Sequence, residues 1–178
     1  MEKKIILNSK EIRIIIDRLC YQLIENHNDF LKTIIIGLQP RGIYLAEKIV
    51  KNLEIIIGQK IKYGELDTTF FRDDFRRRKG MLTPHETNID FSIEKLNVII
   101  VDDVLYTGRT IRSALDALGS FGRANSVELL TLINRRFSRE IPIEPKYIGK
   151  SIDVFENEHV IVNWGKEKNE NNVILSNN

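Results

Sequence analysis

The chain contains a short, entirely apolar run that ends in two adjacent acidic residues. Residues 98–101 read Val-Ile-Ile-Val, Asp102 and Asp103 follow, and a turn containing Gly108 leads into a segment of helical periodicity that starts at Arg109. A strand this apolar is buried on both faces, which is typical of a parallel sheet covered by helices. The pattern therefore favours an α/β fold in which this strand is central.

The turn after the acidic pair is suited to holding a phosphate and sugar hydroxyls together. A helix N-terminus offers N–H groups and the positive end of the helix dipole to a phosphate, and Thr107 and Thr110 add hydroxyl donors. The two carboxylates can accept hydrogen bonds from neighbouring ribose hydroxyls or help to seat a divalent cation. A nucleotide-triphosphate P-loop and a dinucleotide-binding fingerprint are both excluded, because the turn holds a single glycine. The remaining structural alternative is an ordinary strand-turn-helix unit whose acids cap the helix.

Strand and helix patterns alternate along the chain, and this alternation predicts the fold class. Helices are predicted from Asn8 or Ser9 to about Asn26, over 43–53 and over 109–121, and strands over 33–38, over 54–58 plus 61–67, over 98–101 and over 126–133. The order predicts an α/β fold with a doubly wound, mainly parallel sheet and helices on both faces. A length of 178 residues suits one such domain spanning 1–178.

Three segments depart from this alternation. Residues 70–90 are rich in charge, Thr, Pro and His, and we expect a flexible loop there, either a functional lid or a disordered segment. Residues 134–165 contain short apolar pieces and two prolines, which suggests a small C-terminal cap over the site. The tail from Lys166 is rich in Asn and charge, so its last residues are expected to fray.

Bulk composition excludes several classes of protein. The net charge of +2 does not demand a nucleic-acid partner, so any basic surface must be a local patch. The single cysteine, Cys20, rules out an internal disulfide and suits a reducing compartment. The N-terminus has no apolar core of signal-peptide length and no run could span a membrane. We therefore expect a soluble, cytoplasmic protein without a membrane partner.

The segment from Asp102 to Thr110 resembles the phosphoribosyl-pyrophosphate (PRPP) loop of type I phosphoribosyltransferases. The Leu-Tyr pair at 105–106 is similar to that of the PyrR family, pyrimidine-operon regulators that are also uracil phosphoribosyltransferases. Three further segments resemble the same family in the same order, at 37–45, 64–74 and 139–150. The resemblance thus covers nearly the whole chain and implies a type I phosphoribosyltransferase fold.

The resemblance implies roles for residues on two loops outside the central turn. Arg41 and Gly42 match the family's pyrophosphate-binding loop, in which Pro40 replaces a threonine and removes a hydroxyl contact. Arg72 and Asp73, together with Asp74, match the start of the flexible catalytic loop. A mobile basic arm of this kind can exclude water and stabilise charge on the leaving group. We therefore expect Arg72 and Asp73 to be catalytic residues.

The resemblance also implies how the central turn holds its ligand. Asp102 and Asp103 would be catalytic residues that hold the ribose hydroxyls and, through the substrate, Mg²⁺. The residues expected to bind PRPP or UMP besides Arg41, Gly42 and the acidic pair are Val104, Leu105, Tyr106, Thr107, Gly108, Arg109 and Thr110. Many purine enzymes of the superfamily carry an acid where Tyr106 stands, and tyrosine does not supply that function near neutral pH. This favours uracil, with Tyr147 and Ile148 of the expected cap as base-binding candidates.

Two alternatives to a uracil phosphoribosyltransferase remain open. One is a regulator that senses UMP and binds a pyrimidine-operon leader RNA, with weak catalysis or none; Arg18, Arg136 and Arg139 are its candidate RNA contacts. Arg135 and Phe137 stand where the family pattern resembles Asp and a small or polar residue, so the basic footprint differs from the family's. The other alternative is a purine phosphoribosyltransferase. The family further implies a homo-oligomer, a dimer or larger.

Overall fold

The computed structural model describes residues 3–73, 84–155, 157–165 and 170–177. These residues form three α-helices and eight β-strands. In chain order they are β1 (Lys3–Leu7), α1 (Ser9–His27), β2 (Thr33–Leu38), α2 (Gly42–Ile57), β3 (Tyr63–Leu66), β4 (Asn97–Leu105), α3 (Arg109–Leu118), β5 (Ser126–Arg136), β6 (Tyr147–Asp153), β7 (Glu158–Asn163) and β8 (Asn172–Asn177).

The central sheet has five strands in the order β3-β2-β4-β5-β6, and every neighbouring pair is parallel. The apolar run 98–101 lies in β4 at the middle of this sheet, and each of its side chains is fully buried. The predicted doubly wound fold class is confirmed. Because all five strands run the same way, the loops that follow them meet at one edge of the sheet.

Helices cover both faces of the central sheet. Helices α1 and α2 pack on one face, where Leu19 and Leu45 belong to the same apolar core as Ile99 of β4. Helix α3 packs on the other face, where Ile111 lies in a second core with Ile100. The alternating side chains of β4 therefore fill two cores, and burying each such side chain contributes about 1.5–3 kcal/mol. This holds the end of β4 firmly in place.

The predicted first helix is confirmed, with Asn8 as its N-cap. The Asn8 side chain accepts a hydrogen bond from the Glu11 amide at 3.0 Å, and the Glu11 carboxylate accepts one from the Asn8 amide at 2.8 Å. These reciprocal bonds form a capping box, which satisfies two amides that the helix itself cannot pair. The helix then runs along the sheet face and brings its far end, His27, to the start of β2.

A second, three-stranded antiparallel sheet joins the two ends of the described chain in the order β1-β8-β7. It fits the expected small cap, and β7 lies within the expected range 134–165, but β1 and β8 lie outside it. Residues 147–153, assigned to the cap from sequence, form β6, the fifth strand of the central sheet. The expectation that the tail frays is wrong for 172–177, because β8 lies between two hydrogen-bonded neighbours.

The segment 54–58 was also misassigned from sequence as part of a strand. Helix α2 continues to Ile57 and ends at Gly58, whose φ of 70° is left-handed and whose amide donates to the Glu54 carbonyl at 3.0 Å. The strand β3 is confined to Tyr63–Leu66. Among the described residues, no helix has the length and apolar character that crossing a membrane requires.

Candidate active site

Two adjoining cavities lie at the carboxyl end of β4, one of about 400 Å³ and one of about 460 Å³. The first, which we call the loop cavity, is lined by Arg72, Asp102, Ile111, Glu140 and the whole stretch 104–110. The second, the turn cavity, is lined by Gln39, Pro40, Arg41, Thr68, Thr69, Arg72, His85, Asp102, Asp103, Val104 and Thr110. Arg72, Asp102, Val104 and Thr110 line both. The structure thus brings together residues that the sequence suggested from three separate loops.

The acidic pair lies beside both cavities, because Asp102 lines both and Asp103 lines the turn cavity. The Asp103 amide donates to the Asp102 carboxylate at 2.9 Å, which fixes the Asp102 side chain. Burial, and next the nearby charge of Asp103, raise the pKa of Asp102. Burial also raises the pKa of Asp103, against the opposing positive charge of Arg41. Two carboxylates held close together and away from water need a cation or hydrogen-bond donors from a ligand before both can be ionised at low cost.

Gly42 brings the turn 39–42 directly against the acidic pair. A Cβ atom at Gly42 would lie 2.4 Å from the Val101 carbonyl oxygen and 3.0 Å from the Asp102 Cα atom. The backbone of this turn can therefore touch β4 only because residue 42 has no side chain. The close approach puts Arg41 on the wall of the turn cavity, near enough to Asp103 to affect its pKa.

The stretch 104–110, which we call the phosphate loop, connects β4 to the N-terminus of α3. Gly108 has a φ of 90°, a left-handed conformation that glycine adopts without strain. The amides of Glu140 and Ile141 donate to the Thr107 carbonyl at 3.0 and 3.1 Å, and Arg139 donates to the Tyr106 carbonyl. The segment 139–141 thus braces the outer side of the phosphate loop.

The root of the predicted catalytic arm contacts the phosphate loop and the first turn of α3. Arg72 donates to the Thr110 hydroxyl at 3.1 Å. The Asp73 carboxylate accepts from Arg109 at 2.5 Å and from Arg112 at 3.2 Å, and Arg109 also donates to Glu140 at 2.5 Å. Arg72 and Asp73 therefore lie beside the phosphate loop, as a role in catalysis requires. Asp74 and the rest of 74–83 lie outside the described residues.

The two base-binding candidates from sequence lie away from the cavities. Tyr147 begins β6, at the amino ends of the parallel strands, whereas the phosphate loop lies at their carboxyl ends. The Tyr147 side chain is buried. Its hydroxyl donates to Glu128 at 2.8 Å and lies 3.0 Å from the His27 Nε2 atom. The Ile148 carbonyl accepts a hydrogen bond from Arg18 at 3.0 Å. The structure therefore does not bring Tyr147 or Ile148 to the residues that line either cavity.

The three candidate RNA-contacting arginines are each engaged within the protein. Arg18 donates to the carbonyls of Ile148 and Gly149, which joins α1 to β6. Arg136 forms a two-pronged ion pair with Asp153 at 2.7 and 2.9 Å. Arg139, besides its bond to the phosphate loop, donates to the Asn134 side chain at 2.6 Å. They do not form one cluster of outward-facing cations.

Sequence reasoning missed an acid that organises the wall of the turn cavity. Asp67, just after β3, accepts from the amide and hydroxyl of Thr69 at 2.9 and 2.6 Å and from the His85 amide at 2.8 Å. It thereby holds together two parts of the chain that line this cavity. The available signal was an acid at the end of the predicted strand 61–67, since parallel strands end on the same side of a sheet.

The described residues contain no group of three or more His, Cys, Asp or Glu side chains that could hold a metal ion by themselves. The acidic pair is nevertheless suited to share one. The Asp103 Oδ2 atom is buried and has no hydrogen-bond partner within the described part of the chain. An oxygen of this kind fits Mg²⁺ that arrives with substrate oxygens, because Mg²⁺ is usually held by one or two carboxylates plus substrate phosphates and water.

The raised pKa of Asp102 predicts a specific pH dependence of stability. Its pKa rises from an ordinary 3.8 to about 8, so between these values the folded protein binds a proton that the unfolded chain does not. The contribution of Asp102 to stability is therefore fully present below pH 3.8 and is lost as the pH rises towards 8. In thermal unfolding without added ligand, the Tm advantage of Asp102→Asn over wild type should grow with pH through this range. A difference that does not change with pH would contradict the shift.

The position of Tyr147 predicts a structural rather than a base-binding role. In Tyr147→Phe the Glu128 carboxylate loses the tyrosine hydroxyl as a donor, so we expect a stability loss of about 1 kcal/mol. This corresponds to a drop in Tm of roughly 2–4 °C in differential scanning calorimetry, with the KM for the base unchanged. Tyr21→Phe, at an exposed position on α1, is the matched control. A higher KM for the base with unchanged Tm would instead return Tyr147 to the base site.

Comparison with known proteins agrees with this geometry. Residues 2–167 match the family model described as phosphoribosyl transferase domain. The chain is 36% identical to the "Bifunctional protein PyrR" of Elusimicrobium minutum over 173 residues, covering 97% of this chain and 96% of that protein. It is 38% identical to the "Pyrimidine operon regulatory protein" of Lactococcus lactis subsp. lactis over 175 residues, covering 98% of each.

The fold has relatives among solved structures as well. A hypoxanthine phosphoribosyltransferase from Staphylococcus aureus superposes with a TM-score of 0.66 at 25% identity, covering 85% of this chain and 80% of that chain. The two relatives known by sequence are matched over nearly their whole length, and the family model spans the acidic pair, the phosphate loop and both flanking loops. This chain therefore belongs to the phosphoribosyltransferase family and, within it, to the PyrR proteins.

Proposed function

We propose that this protein transfers the phosphoribosyl group of PRPP to uracil, giving UMP and pyrophosphate. The observation that carries the proposal is the meeting of an acidic pair, a phosphate loop and an arginine-bearing turn around two joined cavities. PRPP carries a 5′-phosphate, a ribose diol and a pyrophosphate, and each has a chemically matched partner there. The names of the PyrR relatives support a pyrimidine as the acceptor.

Each part of PRPP has its own place in the proposed complex. The phosphate loop and the N-terminus of α3 bind the 5′-phosphate through backbone amides and the Thr107 and Thr110 hydroxyls. Asp102 and Asp103 accept hydrogen bonds from the ribose hydroxyls. Arg41, beside the acidic pair, binds the pyrophosphate on the turn-cavity side. The ribose is thereby held between two anchored phosphate groups, with its reacting carbon exposed to the base.

Catalysis in this arrangement consists of positioning and of electrostatic stabilisation. The sugar carbon becomes flat and positively charged as pyrophosphate leaves, so the acidic pair stabilises the sugar while Arg41 and Arg72 stabilise the leaving group. Arg72 lines both cavities, within reach of the pyrophosphate on the turn-cavity side. Mg²⁺, when bound, would neutralise charge on the pyrophosphate and ribose oxygens. Asp103 Oδ2 is the protein atom best placed to hold it.

A second candidate function is a UMP-sensing regulator that binds a pyrimidine-operon leader RNA, with weak catalysis or none. The observation in its favour is the name of the Lactococcus relative, a pyrimidine operon regulatory protein. Bound nucleotide would then change the affinity for RNA. Because Arg18 and Arg136 are engaged within the protein, an RNA surface would have to draw on other basic residues or exchange these contacts.

The deciding experiment is a transfer assay with the purified protein, Mg²⁺ and PRPP. Uracil, hypoxanthine and guanine are supplied separately, and UMP, IMP and GMP are measured. UMP formation well above the purine products supports the proposal, and the reverse ranking establishes a purine phosphoribosyltransferase. If no nucleotide forms, a gel shift with a pyrimidine-operon leader RNA, with and without UMP, tests the regulator. A shift that depends on UMP would make regulation the main function.

A further inference from the structure

A positively charged side chain that forms no ion pair with a described residue is buried beside the phosphate loop. Arg135 lies near the carboxyl end of β5, where it pairs with Ile152 of β6, and it is only 5% exposed. Arg136, the next residue, points to the exposed side and forms an ion pair with Asp153. Within the described part of the chain, no ion pair of this kind balances Arg135.

The hydrogen bonds of Arg135 are also incomplete. Its Nη2 atom donates to the Glu158 carbonyl at a long 3.4 Å. Its Nε atom is buried and has no hydrogen-bond partner among the described residues. A buried guanidinium that forms no ion pair destabilises the fold. Burial lowers the pKa of Arg135, and the nearby negative charge of Glu158 opposes this shift only in part. Charges kept at such a cost are often found at functional sites, where a ligand completes their environment.

One aromatic ring separates Arg135 from the loop cavity. The guanidinium carbon lies 3.9 Å from the centre of the Tyr106 ring, and Tyr106 lines the loop cavity. The Tyr106 side chain is 46% exposed, whereas its backbone carbonyl is held by Arg139. The ring can therefore rotate while its backbone stays in place. That rotation would open a path from the cavity to the Nε atom of Arg135.

We propose that Arg135 supplies the positive charge that stabilises the anionic form of the pyrimidine base during transfer. This rests on the proposed function. The base reacts through N1, which must lose its proton. The resulting negative charge spreads over the ring to the two carbonyl oxygens. A guanidinium in the poorly solvated wall interacts more strongly with this anion than it would in water.

The proposed step balances without another reactant. The N1 proton passes to water, the bond between the sugar carbon and the pyrophosphate oxygen breaks with its electron pair going to pyrophosphate, and the bond between N1 and the sugar carbon forms. Arg135 stays protonated throughout and donates from Nε to a carbonyl oxygen of the base. Many purine enzymes of the superfamily carry an acid where Tyr106 stands. In this proposal the charged group that acts on the base is Arg135, behind Tyr106.

Two variants and two bases test the proposal. Arg135→Gln keeps a polar side chain but removes the charge, and Arg135→Lys keeps the charge. Uracil is compared with 5-fluorouracil, whose N1–H is more acidic because fluorine withdraws electrons. For uracil at neutral pH we expect kcat/KM to fall about 100-fold in Arg135→Gln, with its pH profile shifted to higher pH. The loss should be several-fold smaller with 5-fluorouracil and smaller in Arg135→Lys, and the KM for PRPP should not change.

A matched control and four outcomes complete the experiment. Arg123 is exposed and lies just before the amino end of β5, so Arg123→Gln should leave kcat/KM unchanged for both bases. Equal losses with uracil and 5-fluorouracil and an unshifted pH profile would overturn the proposal and leave Arg135 a structural role. A raised KM for PRPP would overturn it as well. If wild type forms no pyrimidine nucleotide, the proposed function fails first, and the inference fails with it. If Arg135→Gln does not fold, the comparison of the two bases in Arg135→Lys decides.

Discussion

Replacing Asp102 and Asp103 together with asparagine is expected to lower kcat/KM for PRPP by at least about 1,000-fold while the protein stays folded. Asp102 lines both the loop cavity and the turn cavity, and Asp103 lines the turn cavity, so in the proposed complex both carboxylates lie beside the ribose. Asparagine keeps the size and one acceptor oxygen of each side chain. What it removes is the negative charge that stabilises the developing positive charge on the sugar.

The same double variant should be more stable than wild type at neutral pH. Burial raises the pKa of both acids, which means that ionising them in the folded protein costs free energy. Asparagine carries no charge, so that cost disappears. We expect a higher Tm in calorimetry at pH 7–8 together with the loss of turnover measured as UMP or other nucleotide product. Opposite changes in activity and stability are the mark of residues kept for function.

Asp116→Asn provides a control for the double variant, because Asp116 is an exposed acid on α3 that contacts Arg112 at 3.7 Å. It should change neither turnover nor Tm appreciably, since an exposed ion pair contributes little. Wild-type turnover in the double variant would remove the acidic pair from the active site. A lower Tm with lost turnover would mean that the pair is needed for folding, and the activity result would then say nothing about catalysis.

The central part of the fold could be predicted because its signals are local. Four consecutive apolar residues that end in acids identify β4 and its place in the sheet, and Asn8 followed by Glu11 identifies the start of α1. The phosphate loop lies between two such elements. The sequence therefore predicts that this loop lies at the carboxyl ends of the strands.

The antiparallel sheet could not be predicted because its pairing joins distant parts of the chain. Strand β1 pairs with β8 from the opposite end of the sequence, and β8 lies in a stretch whose composition is typical of a frayed tail. Helix α2 shows the same limit at shorter range. The run Ile55-Ile56-Ile57 favours a strand by local propensity, yet α2 continues to Ile57 and is capped at Gly58. Ile55 and Ile56 are exposed, so the cause is the low cost of extending a helix that has already formed, together with the favourable glycine cap.

The candidate site was predicted where backbone position was enough and missed where side-chain direction mattered. The resemblance to the family indicated Arg41 and Arg72, and both line the turn cavity. Tyr147 and Arg135 lie on the neighbouring strands β6 and β5, Tyr147 at the amino end and Arg135 near the carboxyl end. The sequence alone does not give the register of β6 against β5. That register puts Tyr147 next to Leu130 and Arg135 next to Ile152. Only the second of these positions lies near the phosphate loop.

Gly42→Ala is expected to destabilise the protein by about 2 to 3 kcal/mol, although it adds a single methyl group. The added Cβ atom would lie 2.4 Å from the Val101 carbonyl oxygen and 3.0 Å from the Asp102 Cα atom. Both neighbours are backbone atoms of β4, the central strand, so they cannot move aside as a side chain could. We expect a drop in Tm of roughly 5–10 °C in calorimetry.

The clash in Gly42→Ala should also raise the KM for PRPP, because it is relieved most easily by moving the turn 39–42 away from β4. That movement would carry Arg41 away from the acidic pair and weaken its contact with pyrophosphate. Gly119→Ala is the matched control, since a Cβ atom there would meet nothing within 4 Å and its φ of −55° suits alanine. Alanine at 119 should stabilise the protein slightly, by up to about 1 kcal/mol. A Gly42→Ala protein with wild-type Tm and KM would show that this turn does not need to touch β4, and the role given to Arg41 would lose its structural basis.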